Sequence, residues 1–267
     1  STRITDLAGN TGAASRGSFT LDTLAPSAPT VALPEAPNGV SAAEAASAGG
    51  TPIVVTLPAD ARVGDTVATV ATLPNGSTTT LTTVLTAADL PVAQGGTASG
   101  AGPFSISQVI PSSALTVDGT WSTRTTLTDV AGNISAPVSG SFVLDTQPPT
   151  APAVSLTEAP NGISAAEAAS AGGTPVVTTL PADAKAGDTV TTVVIKPDGS
   201  TLTLTTVLSG ADITAGRISQ VITTSALAQD GSWSTRTTIT DVAGNISAPT
   251  AGGFTLDTTP PTAPAVS

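Results

Sequence analysis

The chain has 267 residues and a formal charge of −11, from nineteen acidic against eight basic side chains. It contains no Cys, His, Met or Tyr. That composition excludes thiolate and imidazole metal sites, Cys nucleophiles and a Ser–His–Asp triad, while the acidic balance repels nucleic acid and anionic lipid and suits hard cations with oxygen ligands.

No run of roughly 18 apolar residues occurs, so no membrane insertion is expected. The missing initiator Met and the lack of a signal peptide read as a piece of a longer chain. The absence of cysteine fits an export route that avoids disulfides.

Taken in chain order, the sequence is a repeat met partway through. Residues 1–23 end in "FTLDT" (19–23), which returns as "FVLDT" (142–146) and "FTLDT" (254–258). They are expected to be the C-terminal part of a preceding repeat. The Pro-rich string "DTLAPSAPT" (22–30) follows, with counterparts at 145–153 and 257–265. Proline fixes φ and restricts the residue before it, so these joints are short and stiff. Next comes "EAPNGVSAAEAASAGGTPIV" (35–54), which returns at 158–177 with two changes in twenty positions. "TDVAGNISAP" stands at 128–137 and again, unchanged, at 240–249.

The spacing sets the units. Asp22 to Asp145 is 123 residues and Asp145 to Asp257 is 112. The difference of 11 lies between Asp89 and Gln108, where a Gly-, Ala- and Ser-rich insertion occupies about 91–104. Complete units are expected over 24–146 and 147–258, with 259–267 opening a further one.

Within a unit, apolar residues alternate with Thr and Ser, a period-2 pattern. In the second unit strands are expected near 151–157, 174–180, 189–196, 201–208, 218–223, 232–240 and 251–256. Turn signals separate them at "PADAKAGD" (181–188), "PDG" (197–199) and "QDG" (229–231). Seven short strands in this arrangement predict an all-β fold of tandem immunoglobulin-like β-sandwiches. Trp121 and Trp233 should be the largest core side chains. "SAAEAASAGG" (164–173) opens with Ser-x-x-Glu and ends in Gly-Gly, which predicts a short helix between the first two strands.

The combination "LDTTPPTAP", "NGISAAEA", "AGDTVT", "PDGST" and "TDVAGNISAP" resembles the bacterial Ig-like repeats of giant secreted biofilm-associated adhesins. The resemblance covers the whole chain. It implies an extracellular stalk on the bacterial surface, supporting cell adhesion, with neighbouring repeats as partners. It also implies joints rigidified by calcium, and contacts with other cells or surface glycans made elsewhere in the parent protein.

Alternation of strand direction sorts the loops to two ends. End-to-end stacking then brings the carboxylates of one unit toward those of the next. Asp22, Asp145 and Asp257 at the joints are expected ligands, with Asp129, Asp241, Asn133 and Asn245 from the "DVAGN" hairpins. Asn38, Asn161, Glu44, Glu167, Asp118 and Asp230 face them from the other end. Six to eight oxygens of this kind suit Ca²⁺. Each group also has a structural reading. Glu44 and Glu167 fit the last place of a capping box, "DVAGN" fits a tight hairpin, and Asp230 fits a turn. Exposed Thr runs at 77–83 and 201–206, or the insertion at 91–104, open an alternative, a module binding glycan, ice or a partner; a surface-layer or filament subunit joined through edge strands is another. No carboxylate pair falls in an expected pocket and every motif recurs per repeat, so no enzyme is expected.

Overall fold

The computed structural model describes residues 1–90, 104–156 and 161–263. Most of the insertion near 91–104 and the last residues of the stretch 259–267 lie outside the described residues.

Two β-sandwiches follow one another along the chain. In the first, β1 (Thr30–Ala32), β2 (Gly50–Thr56) and β5 (Ser105–Pro111) form one sheet in the order β1-β2-β5. The facing sheet holds β3 (Thr66–Thr72), β4 (Thr78–Val84), β6 (Gly119–Thr128) and β7 (Val138–Leu144), ordered β4-β3-β6-β7. The second repeats this plan. Its small sheet is β13-β10-β8, from β8 (Ala153–Leu156), β10 (Gly173–Thr179) and β13 (Arg217–Thr223). Its larger sheet joins β11 (Thr189–Ile195), β12 (Thr201–Val207), β14 (Gly231–Thr240) and β15 (Thr250–Asp257). A two-residue strand β9 (Ile163–Ser164) pairs in parallel with the end of β15. The same contact in the first unit is a single parallel bridge, Val40 to Leu144.

The strands form where the alternation predicts them, because each buries one face. On β6 and β14 every second residue is inward: Trp121, Thr123, Thr125 and Leu127, then Trp233, Thr235, Thr237 and Ile239. Each Trp stacks on a Phe of the next strand, Trp121 on Phe142 at 5.7 Å and Trp233 on Phe254 at 5.5 Å. Their indole N–H groups donate to the carbonyls of Val117 and Gln229, both at 3.0 Å. A buried polar group thereby keeps its partner while the ring fills the core.

Gln108 and Gln220 reach from the small sheet to the large one. Gln108 donates to Val67 O and Thr83 Oγ1, and Gln220 to Val190 O and Thr206 Oγ1.

The expected helices are α1 (Ala42–Ala46) and α2 (Ala165–Ala169), each followed by a 3-10 turn. Five residues are too few to hold a helix unaided. Burial of Ala45 and Ala168 and a complete capping box supply the rest. A third helix, α3 (Gly210–Ala215), was not expected; Ser209 and Asp212 cap it, close to where the first unit carries its insertion. Residues 1–23 carry isolated bridges, Thr2–Ser15 and Thr5–Thr11, and leave Ile4, Leu7, Phe19 and Leu21 exposed. No helix among the described residues is long and apolar enough to cross a membrane.

Candidate functional site

The joint between the two sandwiches starts at Asp145. Its amide donates to Val40 O at 3.0 Å, and its carboxylate accepts from the Gln147 amide at 3.2 Å. The linker is then staked at both ends. Asp118 of the first unit accepts from the amide and hydroxyl of Thr146, at 3.1 and 2.9 Å. Asp183 of the second unit accepts from the amide and hydroxyl of Thr150, both at 2.8 Å. Two prolines between these stakes, Pro148 and Pro149, restrict the remaining backbone.

The "DVAGN" hairpin of the second unit meets this linker. Asp241 Oδ1 accepts from the amides of Gly244 and Asn245 at 2.8 Å, and Oδ2 from Asn245 Nδ2 at 2.9 Å. Gly244 takes φ +103°, which closes the turn. Asn245 Nδ2 donates to Asp145 O at 2.7 Å, and its Oδ1 accepts from the Ala42 amide at 3.0 Å. In the first unit Asp129 and Asn133 repeat the internal hairpin bonds, and Asn133 Nδ2 reaches Asp22 O at 3.2 Å.

Glu44 and Glu167 sit in their capping boxes. Each Oε2 accepts from the amide and hydroxyl of its cap serine, Ser41 or Ser164, at 2.9 Å. Asp230 holds Thr258 and Thr259 as Asp118 holds Thr146. Asp257 and Asp22 each bond the amide two residues on, Thr259 and Leu24.

One pair of carboxylates that the sequence reading passed over differs from all of these. Asp188 is 1 % exposed, and so is Asp65, its counterpart. Oδ2 of each is engaged, accepting from the Lys185 and Arg62 amides at 2.7 and 2.8 Å. Oδ1 of each is buried with no hydrogen-bond partner; the Val242 and Val130 amides give only partial relief. Burial pushes both carboxyls above the ordinary aspartate value, with the charge of Asp241 adding to the effect on Asp188 and that of Asp129 on Asp65. The signal was present in the sequence as Gly64–Asp65 and Gly187–Asp188, each directly ahead of a strand.

The structure therefore gathers part of the expected set. Asp145, Asp188 and Asp241 line one cavity, together with Asn38 and Lys185. Asp183 and Gln147 join the first three in the adjoining hollow along the linker. Asp22, Asp60, Asp65 and Asp129 line the corresponding hollow of the first unit. Glu44 and Asp118 line neither joint hollow, and Asn161, Glu167 and Asp257 line a separate hollow at the downstream end of the second unit.

For a hard cation the donor set fits in kind: all oxygen, net negative, with a buried carboxylate oxygen that lacks a partner. It does not fit in spacing, since no three carboxylates among the described residues stand close enough to hold an ion.

No family model matches the chain, and no curated protein matches it. Solved structures similar to it include a Ca²⁺-stabilized adhesin that helps an Antarctic bacterium reach out and bind ice. The identity is 29 %, over 96 % of this chain and 56 % of that one, with a TM-score of 0.42. A tetra-tandem repeat in the extending region of a large adhesion protein is 20 % identical, over 96 % of this chain and 55 % of that one, with a TM-score of 0.33. Fibronectin(III)-like modules of Clostridium thermocellum CbhA are 14 % identical, over 86 % of this chain and 95 % of theirs, with a TM-score of 0.41. The chain thus spans a little over half the length of the two adhesin structures, 56 % and 55 %.

Proposed function

We propose that this chain is a non-enzymatic spacer: a stalk segment of a secreted bacterial surface adhesin, built of Ig-like units over 24–146 and 147–258. Its work is mechanical. Each unit adds length, the Pro-rich linkers limit bending, and the adhesive contacts to cells or surface glycans lie in other parts of the parent protein. Its immediate partners are neighbouring repeats, and it sits outside the cell in support of biofilm formation.

Calcium belongs to this reading as the joint's stiffener. As placed, no three carboxylates among the described residues stand close enough to hold an ion, so on this reading Asp188, Asp145 and Asp241 draw together around it at the joint between the two units, and Asp65, Asp22 and Asp129 at the equivalent place upstream. A bound Ca²⁺ would add to the positive charge of Lys185 and Arg62, relieve the repulsion of Asp188 by Asp241 and of Asp65 by Asp129, and tie each pair to its linker aspartate.

The observation that carries the calcium reading is the unpartnered Oδ1 of Asp188, buried beside Asp241 and repeated at Asp65 beside Asp129. A buried carboxylate oxygen that makes no full hydrogen bond is costly, and the cost recurs in both units despite the partial relief from the Val242 and Val130 amides. Thermal melts in millimolar Ca²⁺ and in EGTA test it. At a hundredfold excess over Kd, binding to the folded state alone adds about 2.7 kcal/mol. The expected result is a clear rise of Tm in Ca²⁺ that Asp188→Asn reduces. Superimposable melts would end the calcium reading and leave a calcium-free spacer.

A further inference from the structure

The hairpin "DVAGN" is identical in the two units but not identically placed. In the second unit it rests on the downstream end of the first. Ala243 is 9 % exposed there, whereas Ala131, its twin, is exposed. Asn245 is 7 % exposed, while Asn133 is half-buried. The receiving surface is the stretch "NGVS" and the first amide of α1. Gly39 takes φ +90° and a Cβ built on it would crowd Val143 O at 3.2 Å; the Ala243 methyl lies against the same turn, 3.7 Å from that Cβ position. A Cβ on Gly244 would lie 3.9 Å from Ser41 Cβ, so the two turns touch edge to edge. Asn245 closes the contact with three hydrogen bonds, to Asp241 of its own hairpin, to Asp145 O of the linker and from the Ala42 amide of the first unit. All three reach 3.0 Å or less, and none involves a charged side chain from the first unit.

We propose that the Asp-x-Ala-Gly-Asn hairpin is a plug and the Asn-Gly-x-Ser-Ala turn its socket. On this proposal they form a recognition pair that sets the angle between units by direct contact, with Asn245 as its positioning residue and no ion required.

The chemistry divides the motif's letters. Asp folds the hairpin and Gly closes it. Ala is small enough to meet the socket glycine. Asn satisfies a helix-start amide and a linker carbonyl on the first unit's side of the joint that would otherwise lie unpaired beneath the hairpin. The following serine, Ser247, is buried and seals the strand behind the plug, accepting from the Ile239 amide at 2.9 Å and donating to Ala248 O at 3.0 Å. A contact that needs Asp, Ala, Gly, Asn and Ser at five of seven positions explains close repetition better than a cation site does, since a cation tolerates many oxygen donors.

The second unit carries the same socket at Asn161–Ala165, differing by Ile163 for Val40. Its Ser164 is exposed where Ser41 is buried. The partner that fits it is another unit of this kind presenting the same hairpin. The proposal uses the stalk reading only for the tandem arrangement and does not depend on calcium.

The chain has no cysteine, so Thr80→Cys with Thr203→Cys, one exposed site per unit, gives a unique spin-label pair. Distance distributions are measured in EGTA, on the whole chain. The unsubstituted joint should give one narrow distance. Ala243→Leu and Asn245→Ala should each broaden it at least twofold. Ala131→Leu and Asn133→Ala, the same substitutions where no socket is engaged, should leave it unchanged. Fluorescence of Trp121 and Trp233 reports whether both sandwiches remain folded, and Asn245→Asp offers a milder change expected to broaden the distance as well. A distribution already broad in EGTA would overturn the proposal, as would Ala243→Leu behaving like Ala131→Leu. Neither outcome bears on whether calcium raises Tm.

Discussion

The two sandwiches share most of their motifs and differ in what touches them. The downstream end of the first is covered: Gly39, Val40 and Ser41 are buried, and Asp145 is half-buried. The same end of the second is open. Gly162 is half-buried, and Ser164, Glu167 and Asp257 are exposed. Local structure is untouched by this difference, since both capping boxes and both short helices are intact. The joint therefore selects a surface that each unit already builds. It changes the energetic weight of residues whose hydrogen bonds within the unit stay the same.

That contrast is broken most directly at the cap serines. Ser164→Ala removes an exposed cap and should cost about 0.5–1 kcal/mol, the usual loss for such a cap. Ser41→Ala removes a cap that is 4 % exposed, leaving the Glu44 amide and carboxylate short of a partner under the neighbouring unit. A buried group without its partner costs more, so about 2 kcal/mol is expected. Urea unfolding followed through Trp121 or Trp233, with the other replaced by Phe, reads each unit separately. Equal losses in the two units would mean that the joint adds nothing to the cap.

The interiors allow a second comparison in which the neighbour plays no part. Val55 in the first unit and Thr178 in the second occupy the same inward position, both 0 % exposed. Thr178 Oγ1 has no hydrogen-bond partner, and neither has Oε1 of Gln220, two places along the facing strand in register. Thr178→Val keeps the shape and removes a buried unsatisfied hydroxyl, which should stabilise the second unit by about 1 kcal/mol; Val55→Thr should destabilise the first by a similar amount. Loss of stability in Thr178→Val would show that the hydroxyl has a partner after all.

How much of this was readable in advance follows from where each signal resides. Strand positions in the second unit agree with the expected ones to within one or two residues, because alternation is local and survives without knowledge of the partner sheet. The helices at Ala42 and Ala165 were legible from Ser-x-x-Glu. Helix α3 was not, since Ser209-x-x-Asp212 is a weaker form of that signal, with Gly210 as its first helical residue and Gly216 at its end. The candidate site divides the same way. Asp129 and Asp241 were picked out because their motif repeats. Asp188 falls in the turn expected at 181–188 and Asp65 is not singled out; Gly-Asp ahead of a strand marks both positions, but burial of the carboxylate is decided by tertiary packing. The Asn245–Ala42 bond spans 203 residues and crosses between units, and no periodicity announces it.

The smallest effect concerns pH and separates two classes of carboxylate that both line the joints. Asp129 and Asp183 are held below the ordinary aspartate value, Asp129 first by the Asn133 side chain and Asp183 first by the Thr150 amide. A lowered group contributes stability above its unfolded value and loses it as pH falls through the folded one. Asp65 and Asp188 are shifted the other way, mainly by burial. A raised group's contribution is fully present below the unfolded value and is lost as pH rises through the folded one. The two classes therefore act on opposite sides of the ordinary aspartate value of 3.8. In EGTA, stability should decline as pH rises above the ordinary aspartate value and through the raised folded-state values of the pair. Asp188→Asn should flatten half of that decline and leave the acid side, governed by the lowered group, where it was. In Ca²⁺ the decline should vanish without any substitution if the ion neutralises the pair. An unchanged slope in Asp188→Asn would mean that the buried oxygen is already compensated, and would remove the observation on which the calcium reading stands.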